Sequence, residues 1–238
     1  MEQGVIDYLN RDRMANIDML EVLLVPGAEV LRADDNGVLL RHDELYWLAA
    51  EPGRAASFLP LLTAGLADDP MRMIILRGAE LLDALATCGF ESAMDCCHAI
   101  YLSNRPIPYT LPDGAEIRLL DSSHLDFVHA HYRTVDDADY ILERIEAGMF
   151  GAFVRGEPAG FIGTHDERSM GLLEVLPEYR RLGLAYALEA HLINHLLSLD
   201  RTPFCQVSIR NEPSIALQRK LGLALSDTVI RWLIHRQP

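Results

Sequence analysis

Residues 173–185 read Leu173-Glu174-Val175-Leu176-Pro177-Glu178-Tyr179-Arg180-Arg181-Leu182-Gly183-Leu184-Ala185, a strand that runs into a turn and opens a helix with no other break. The backbone N–H groups of Arg181, Leu182, Gly183, Leu184 and Ala185 then lie at a helix N-terminus, where they lack intrahelical acceptors and can cradle a pyrophosphate. Gly183 and Ala185 keep the approach open. Arg180 and Arg181 add charge beside the phosphates, and the arginine fork matches phosphate oxygens. Taken alone, the same residues also fit an ordinary junction with two solvated arginines, so their surroundings decide.

Outward from this stretch the pattern is mixed α/β around one sheet. Upstream, Phe153-Val154 and Phe161-Ile162-Gly163 flank Arg155-Gly156-Glu157-Pro158 as a hairpin, Asp136 to Ala147 is an acidic helix, and Ser122-Ser123-His124 caps another helix. Downstream come a helix from Leu184 to Leu199, a strand from Phe204 to Ile209, a helix from Pro213 to Leu221 and a last strand from Thr228 to Ile234. Three prolines in Ser103 to Pro112 rule out a helix and mark a linker. The expected domains are therefore 1–102 and 113–238, joined by 103–112. In the first, Ile6 to Val25 reads as one amphipathic helix and Asp34-Asp35-Asn36-Gly37 as a hairpin turn. A strand meander, helices at Ala55 to Leu66 and Ala79 to Thr87, and strands at Met73 to Leu76 and Ala99 to Leu102 complete it. A weak repeat at an offset of 133 residues sets Leu76-Arg77 on Ile209-Arg210, Leu82 on Ile215 and Gly89-Phe90 on Gly222-Leu223.

The chain of 238 residues has a formal charge of -14, which repels a phosphate backbone, so nucleic acid is not an expected partner. No apolar run approaches the ~20 residues that span a bilayer, and nothing at the N-terminus reads as a leader, so neither a membrane partner nor export is expected and a cytoplasmic location is. The four cysteines have no paired C-x-x-C spacing and read as reduced thiols.

Arg180-x-x-Gly183-x-Ala185, preceded by Val175-x-Pro177 and followed by Asn211-x-x-Ser214-x-x-Leu217-x-x-Lys220-x-Gly222, resembles the two cofactor-binding motifs of the GNAT superfamily of N-acyltransferases. Leu176-Pro177-Glu178-Tyr179-Arg180 with Gly183-Leu184, together with Phe127-Val128 and Tyr140-Ile141-Leu142-Glu143-Arg144, resembles its glycine N-acyltransferase branch, whose N-terminal half is a degenerate acyltransferase. The resemblance implies a GNAT fold in the C-terminal half and an N-terminal half of degenerate GNAT type. It implies acetyl-CoA or another acyl-CoA in a V-shaped opening between the strands ending at Val175 and near Ile209. Leu173 and Val175 would pair with pantetheine, the Val175 N–H would face the thioester oxygen, and Asn211 and Ser214 would be polar contacts. Asn211 could equally serve as a helix cap.

The implied reaction moves an acyl group directly to the amine of a small molecule or amino acid, with the N-terminal half shaping the acceptor pocket or completing a homodimer. A protein lysine or N-terminal amine, or a non-catalytic acyl-CoA sensor, are the alternatives. The amine needs a base. The superfamily's glutamate position holds Ser169, and Glu167, two residues earlier, would face the same way in an uninterrupted strand. His124, His129, His131 and His165 are further candidates, each also readable as a surface or capping histidine. The superfamily's tyrosine acid is replaced by Gln218. His191 and His195 lie one turn apart but lack a third ligand, so no metal is expected. Cys205 reads as core.

Overall fold

The computed structural model describes residues 2–68 and 71–235. Helices α1 (Glu2–Leu9) and α2 (Arg13–Val22) precede strands β1 (Glu29–Asp34), β2 (Gly37–His42) and β3 (Leu45–Ala50), then α3 (Leu59–Thr63), β4 (Met73–Arg77), α4 (Leu82–Thr87) and β5 (Phe90–Ile100). After β6 (Ala115–Leu119) the order begins again with α5 (Leu125–His131), α6 (Ala138–Glu146), β7 (Phe150–Val154), β8 (Glu157–Thr164), β9 (Met170–Val175), α7 (Leu184–Ser198), β10 (Phe204–Ser208), α8 (Glu212–Leu221) and β11 (Ala224–Leu225), and the chain ends in β12 (Ile230–His235). The α-α-β-β-β-α-β-α-β order thus occurs twice. The chain forms two compact units, one of residues 1–99, 207–215 and 225–238, the other of residues 100–206 and 216–224. This division differs from the linker-based one, because β12 pairs with β4 and β5 rather than closing a unit of its own half.

In the first unit the strand order is β1-β2-β3-β4-β12-β5, with β3 and β4 parallel and the other pairs antiparallel. Both faces are covered, so neighbouring residues on one strand enter different cores. Leu39, Tyr46, Ile74 and Leu76 pack with Phe58, Leu62 and Leu85, whereas Leu40, Trp47 and Ile75 pack with Val5, Leu9, Met19 and Val22. The expected single helix from Ile6 is broken at Asp12, which leaves helical geometry (φ -136, ψ 79) so that its carboxylate can accept the Ala15 N–H. The helix expected from Ala55 is likewise a 3-10 turn, Ala55–Phe58, followed by five α residues.

In the second unit the order is β6-β7-β8-β9-β10. The β7–β8 turn is a hairpin with Arg155 and Gly156 both at positive φ, a conformation that suits the glycine and that the arginine takes against its preference. Asp121, rather than Ser122, caps the turn before α5 through a capping box with His124, and Asp137 caps α6. One sheet face, carrying Phe153, Phe161 and Leu172, packs on Val128, Ile141 and Ile145 of α5 and α6. α7, apolar nearly all round, lies against β7, β8 and β9. The proline-rich stretch is pinned along α7, where Asn194 bonds both the N–H and C=O of Ile107, and the Tyr109 hydroxyl meets His191 at 2.7 Å.

Candidate active site

β9 supplies the frame. Thr164 opposes Met170 and Gly163 opposes Gly171, but Phe161 opposes Glu174, so β9 carries one residue more than β8 between these pairs. The extra residue is absorbed at Leu172, a buried leucine with φ +47. This is a β-bulge, which bends the strand and re-aims the groups around it. Beyond the bulge, the Leu176 N–H donates to Ala159 O on β8. Backbone direction alternates along a strand, so the Val175 and Leu173 N–H groups point away from β8.

The strand then enters the 3-10 turn Pro177–Tyr179, Arg181 takes φ +67, and Gly183 caps α7 at φ +85 without a side-chain bond. A glycine is suited to this left-handed position, and a Cβ there would meet nothing within 4 Å. The first bond of this helix turn runs from the Ala187 N–H to Gly183 O, so the Leu184, Ala185 and Tyr186 N–H groups have no acceptor within the helix. The two arginines differ. Arg180 folds back on the strand, with Nε donating to Val175 O at 3.0 Å and Nη2 to Glu174 at 3.1 Å, whereas Arg181 is exposed. Arg180 therefore fixes the turn and Arg181 is the freer charge. Leu182 is exposed beside it.

At the other end of β9 the expected continuous strand fails. Residues 166–168 form a turn, closed by the His165 N–H on Ser169 O and the Arg168 N–H on His165 O, with Arg168 at φ +71. The turn still joins the two expected residues: the Ser169 hydroxyl donates to Glu167 Oε1 at 2.7 Å, and both are buried. It does not bring them to Val175, which lies six residues along β9 from Ser169, about 20 Å of extended chain. Tyr140 of α6 meets His165 Nδ1 at 2.6 Å, and the His165 ring covers Gly171, leaving no room for a side chain there. Arg144 ion-pairs with Asp166. Burial first, and then the Glu167 and Asp166 carboxylates, hold the Tyr140 hydroxyl far above its ordinary range; Tyr132 is raised by burial too. Sequence reasoning assigned neither tyrosine to the site, although Tyr140 stands in one of the stretches that carry the family resemblance; Tyr132 has only its place at the end of α5.

The remaining candidates have local roles. Asn211 caps α8, accepting the Ser214 N–H at 3.1 Å. Gln218 is buried and bonds Glu189 of α7, whose carboxyl is pushed up to about 7 by burial despite that bond. His124 completes its cap, His129 faces Asp136, His131 meets Phe127 O, and Cys205, opposite Met170, is buried. The His191 imidazole, lowered by burial and by His195, is held by Tyr109.

A family model described as FR47-like protein matches residues 148–233, which contain β8, β9, the turn, α7 and α8. A GCN5-related N-acetyltransferase from Kribbella flavida superposes with a TM-score of 0.65 at 16% identity, covering 95% of each chain. The fold is the GNAT acetyltransferase fold. A Drosophila protein matches with a TM-score of 0.76 at 16% identity, over 99% of this chain and 96% of that one. A tandem GNAT protein from the clavulanic acid biosynthesis pathway matches at 0.53 and 16% identity, over 100% of this chain and 96% of that one, in keeping with the twice-occurring element order. No curated protein matches the sequence. Among the described residues, no helix of the GNAT fold is long and apolar enough to cross a membrane.

Proposed function

We propose that this protein is an acyl-CoA-dependent N-acyltransferase acting on the amine of a small molecule or amino acid. The observation that carries the reading is the β9–turn–α7 junction. Its unbonded amides from Leu184 to Tyr186, with Gly183 open beside them and Arg181 exposed, have the chemistry a pyrophosphate requires. The Val175 and Leu173 N–H groups, directed away from β8, suit the amides of a pantetheine arm. From phosphate to sulfur that arm is roughly a dozen bonds, about 14 Å of extended chain. It therefore carries the thioester past Val175 toward Leu173 and the bulge, so the oxyanion donor is assigned to Leu173 and Val175 becomes a pantetheine contact. A single well-aimed donor is worth about 3 kcal/mol as charge grows on the carbonyl oxygen.

The buried Ser169–Glu167 pair sits toward that end of β9. In the reaction the amine nitrogen forms its bond to the acyl carbon as the carbon–sulfur bond breaks, CoA leaves as the thiolate, and the amine proton passes by way of water to the Ser169 hydroxyl and the Glu167 carboxylate. Tyr132, Tyr140 and His165 line the same side and would shape the acceptor site. The resemblance to glycine N-acyltransferases favours a small amino acid as acceptor. Release of free CoA thiol from acetyl-CoA and longer acyl-CoAs, against a panel of amino acids and polyamines, tests the proposal. Amine-dependent release is expected. Binding by calorimetry without release would leave a protein acceptor or a non-catalytic sensor, and no binding would sink the cofactor site.

A further inference from the structure

Glu167 stands on a turn, so strand pairing does not fix where its carboxylate lies. The turn is closed at its base by the His165 N–H on Ser169 O at 2.9 Å and within by the Arg168 N–H on His165 O at 3.0 Å. Its left-handed position is filled by Arg168 at φ +71, a conformation that any side chain disfavours. A turn of this kind needs support from outside itself, and α6 supplies it. Tyr140 and Arg144 are four residues apart and share a helix face. Tyr140 takes His165 and Arg144 takes Asp166, the two residues that lead into Glu167. The Tyr140 hydroxyl lies 2.6 Å from His165 Nδ1, and the two rings stack with 23° between their planes. The Arg144 guanidinium lies 5.5 Å from the Tyr140 ring centre, so the two contacts also brace each other.

α6 is placed to hold the turn rather than follow it. Asp137 caps its first turn through the Asp139 and Tyr140 N–H groups, and Ile141 and Ile145 are buried against the sheet. On the other side, the His165 ring fills the space over Gly171, where a Cβ would collide with Nε2. The imidazole is thus gripped between α6 and β9. The hydroxyl that meets it keeps its proton, because burial and then the charges of Glu167 and Asp166 hold Tyr140 far above its ordinary range. Donation from that hydroxyl to Nδ1 leaves the proton of the neutral ring on Nε2, over β9. These α6 contacts are made with residues 165 and 166, so what they set is the place of the turn that carries Glu167.

We propose that Tyr140 and Arg144 are positioning residues for acyl transfer: through His165 and Asp166 they hold the turn so that the Glu167–Ser169 pair stays where the amine proton is delivered. The inference rests on the proposed acyl transfer with Glu167 as its base. A carboxylate that works through water depends on its placement, since a shift of about 1 Å in a reacting group costs about 10²-fold in rate. The experiment is steady-state transfer by the full-length protein, with acetyl-CoA and the best amine of the panel, alongside amide hydrogen exchange. Tyr140→Phe keeps the ring and removes the bond, Arg144→Gln removes the ion pair, and Arg144→Lys restores the charge. Tyr140→Phe and Arg144→Gln should each lower kcat about tenfold, with KM for the amine and acetyl-CoA affinity within about twofold of the parent. Arg144→Lys should recover most of the rate. In a Glu167→Gln background neither substitution should lower the rate further, because both act through that carboxylate, whereas general damage to the fold would lower it again. Exchange at the His165 and Arg168 amides should quicken about tenfold in both variants, while the Leu176 amide, bonded to Ala159 O, is unchanged. A raised KM for the amine at parental kcat would make Tyr140 a substrate contact and overturn the proposal. Additive losses in the Glu167→Gln background, or unaltered exchange at residues 165 and 168, would overturn it too. If the parent transfers no acyl group, the acyl-transfer reading fails, and the exchange measurement alone still decides whether α6 holds the turn.

Discussion

Replacing Glu189 by Gln should make the protein more stable at pH 8 and leave it nearly unchanged at pH 4.5. Glu189 lies on α7 with 2% of its surface exposed, and burial raises its carboxyl from 4.5 to about 7 in the folded protein. In the unfolded chain it titrates near the ordinary value. Below about 4.5 both states hold the proton and the residue adds no pH dependence. Between 4.5 and about 7 the unfolded chain has released the proton and the folded one has kept it, so stability falls as pH rises, at about 1.4 kcal/mol per pH unit. Above about 7 both are ionised and the loss is complete, about 3 kcal/mol in all. The geometry gives the cause. Glu189 Oε2 and Gln218 Oε1 each lack a partner, and a neutral carboxyl can donate one hydrogen where a carboxylate cannot. A glutamine amide donates in the same way at every pH. Urea denaturation of parent and variant at pH 5, 6, 7 and 8 isolates the effect, since every other titrating group cancels in the difference. The gain should be below about 1 kcal/mol at pH 5 and grow to a plateau of about 3 kcal/mol. A difference that does not change with pH would refute the reasoning, because it would mean that Glu189 ionises alike in both states.

Two further substitutions probe the second unit. Gly183→Glu puts a carboxylate against the Leu184 to Tyr186 amides and a Cβ at φ +85, where there is space but about 1 kcal/mol of backbone strain; calorimetry should show acetyl-CoA binding lost while circular dichroism shows the fold kept. Glu167→Gln and Ser169→Ala should each lower the transfer rate by about 10²-fold with cofactor affinity unchanged, and the double variant should be no slower than either, because both lie on one proton path. If His165→Gln slows transfer more than either, the proton leaves instead through the imidazole packed on Gly171.

The turn from β9 into α7 was legible because its determinants are local. Pro177 ends the strand, Gly183 supplies the left-handed cap, and the apolar residues after it set the helix. The hairpin at Arg155-Gly156 is of the same kind. Where the reading failed, long-range contacts decided. β5 was seen only at its end, because Glu91 to Met94 are exposed and carry no core alternation, yet β12 pairs with that stretch from about 140 residues away. The bulge at Leu172 has no sequence mark at all, since leucine rarely takes positive φ; packing against Phe161 and Ile141 holds it there. Glu167 was expected to face the same way as Ser169 on a strand, and the turn at 166–168 brings the two together by another route.

The offset of 133 residues seen in the sequence has a structural counterpart. Gly89 and Gly222 end α4 and α8 at φ +88 and +85, and Leu82 and Ile215 lie within those helices. Equal spacing with equal backbone geometry is more than composition supplies, and it accompanies the same element order in both halves. The first unit nevertheless has no glycine-capped helix start after β3, where the chain enters a 3-10 turn behind Arg54, and it keeps an ion pair of Asp18 with Arg77 in its interior. Such a pair costs desolvation energy, and hydrophobic residues of similar volume often replace it without loss of stability.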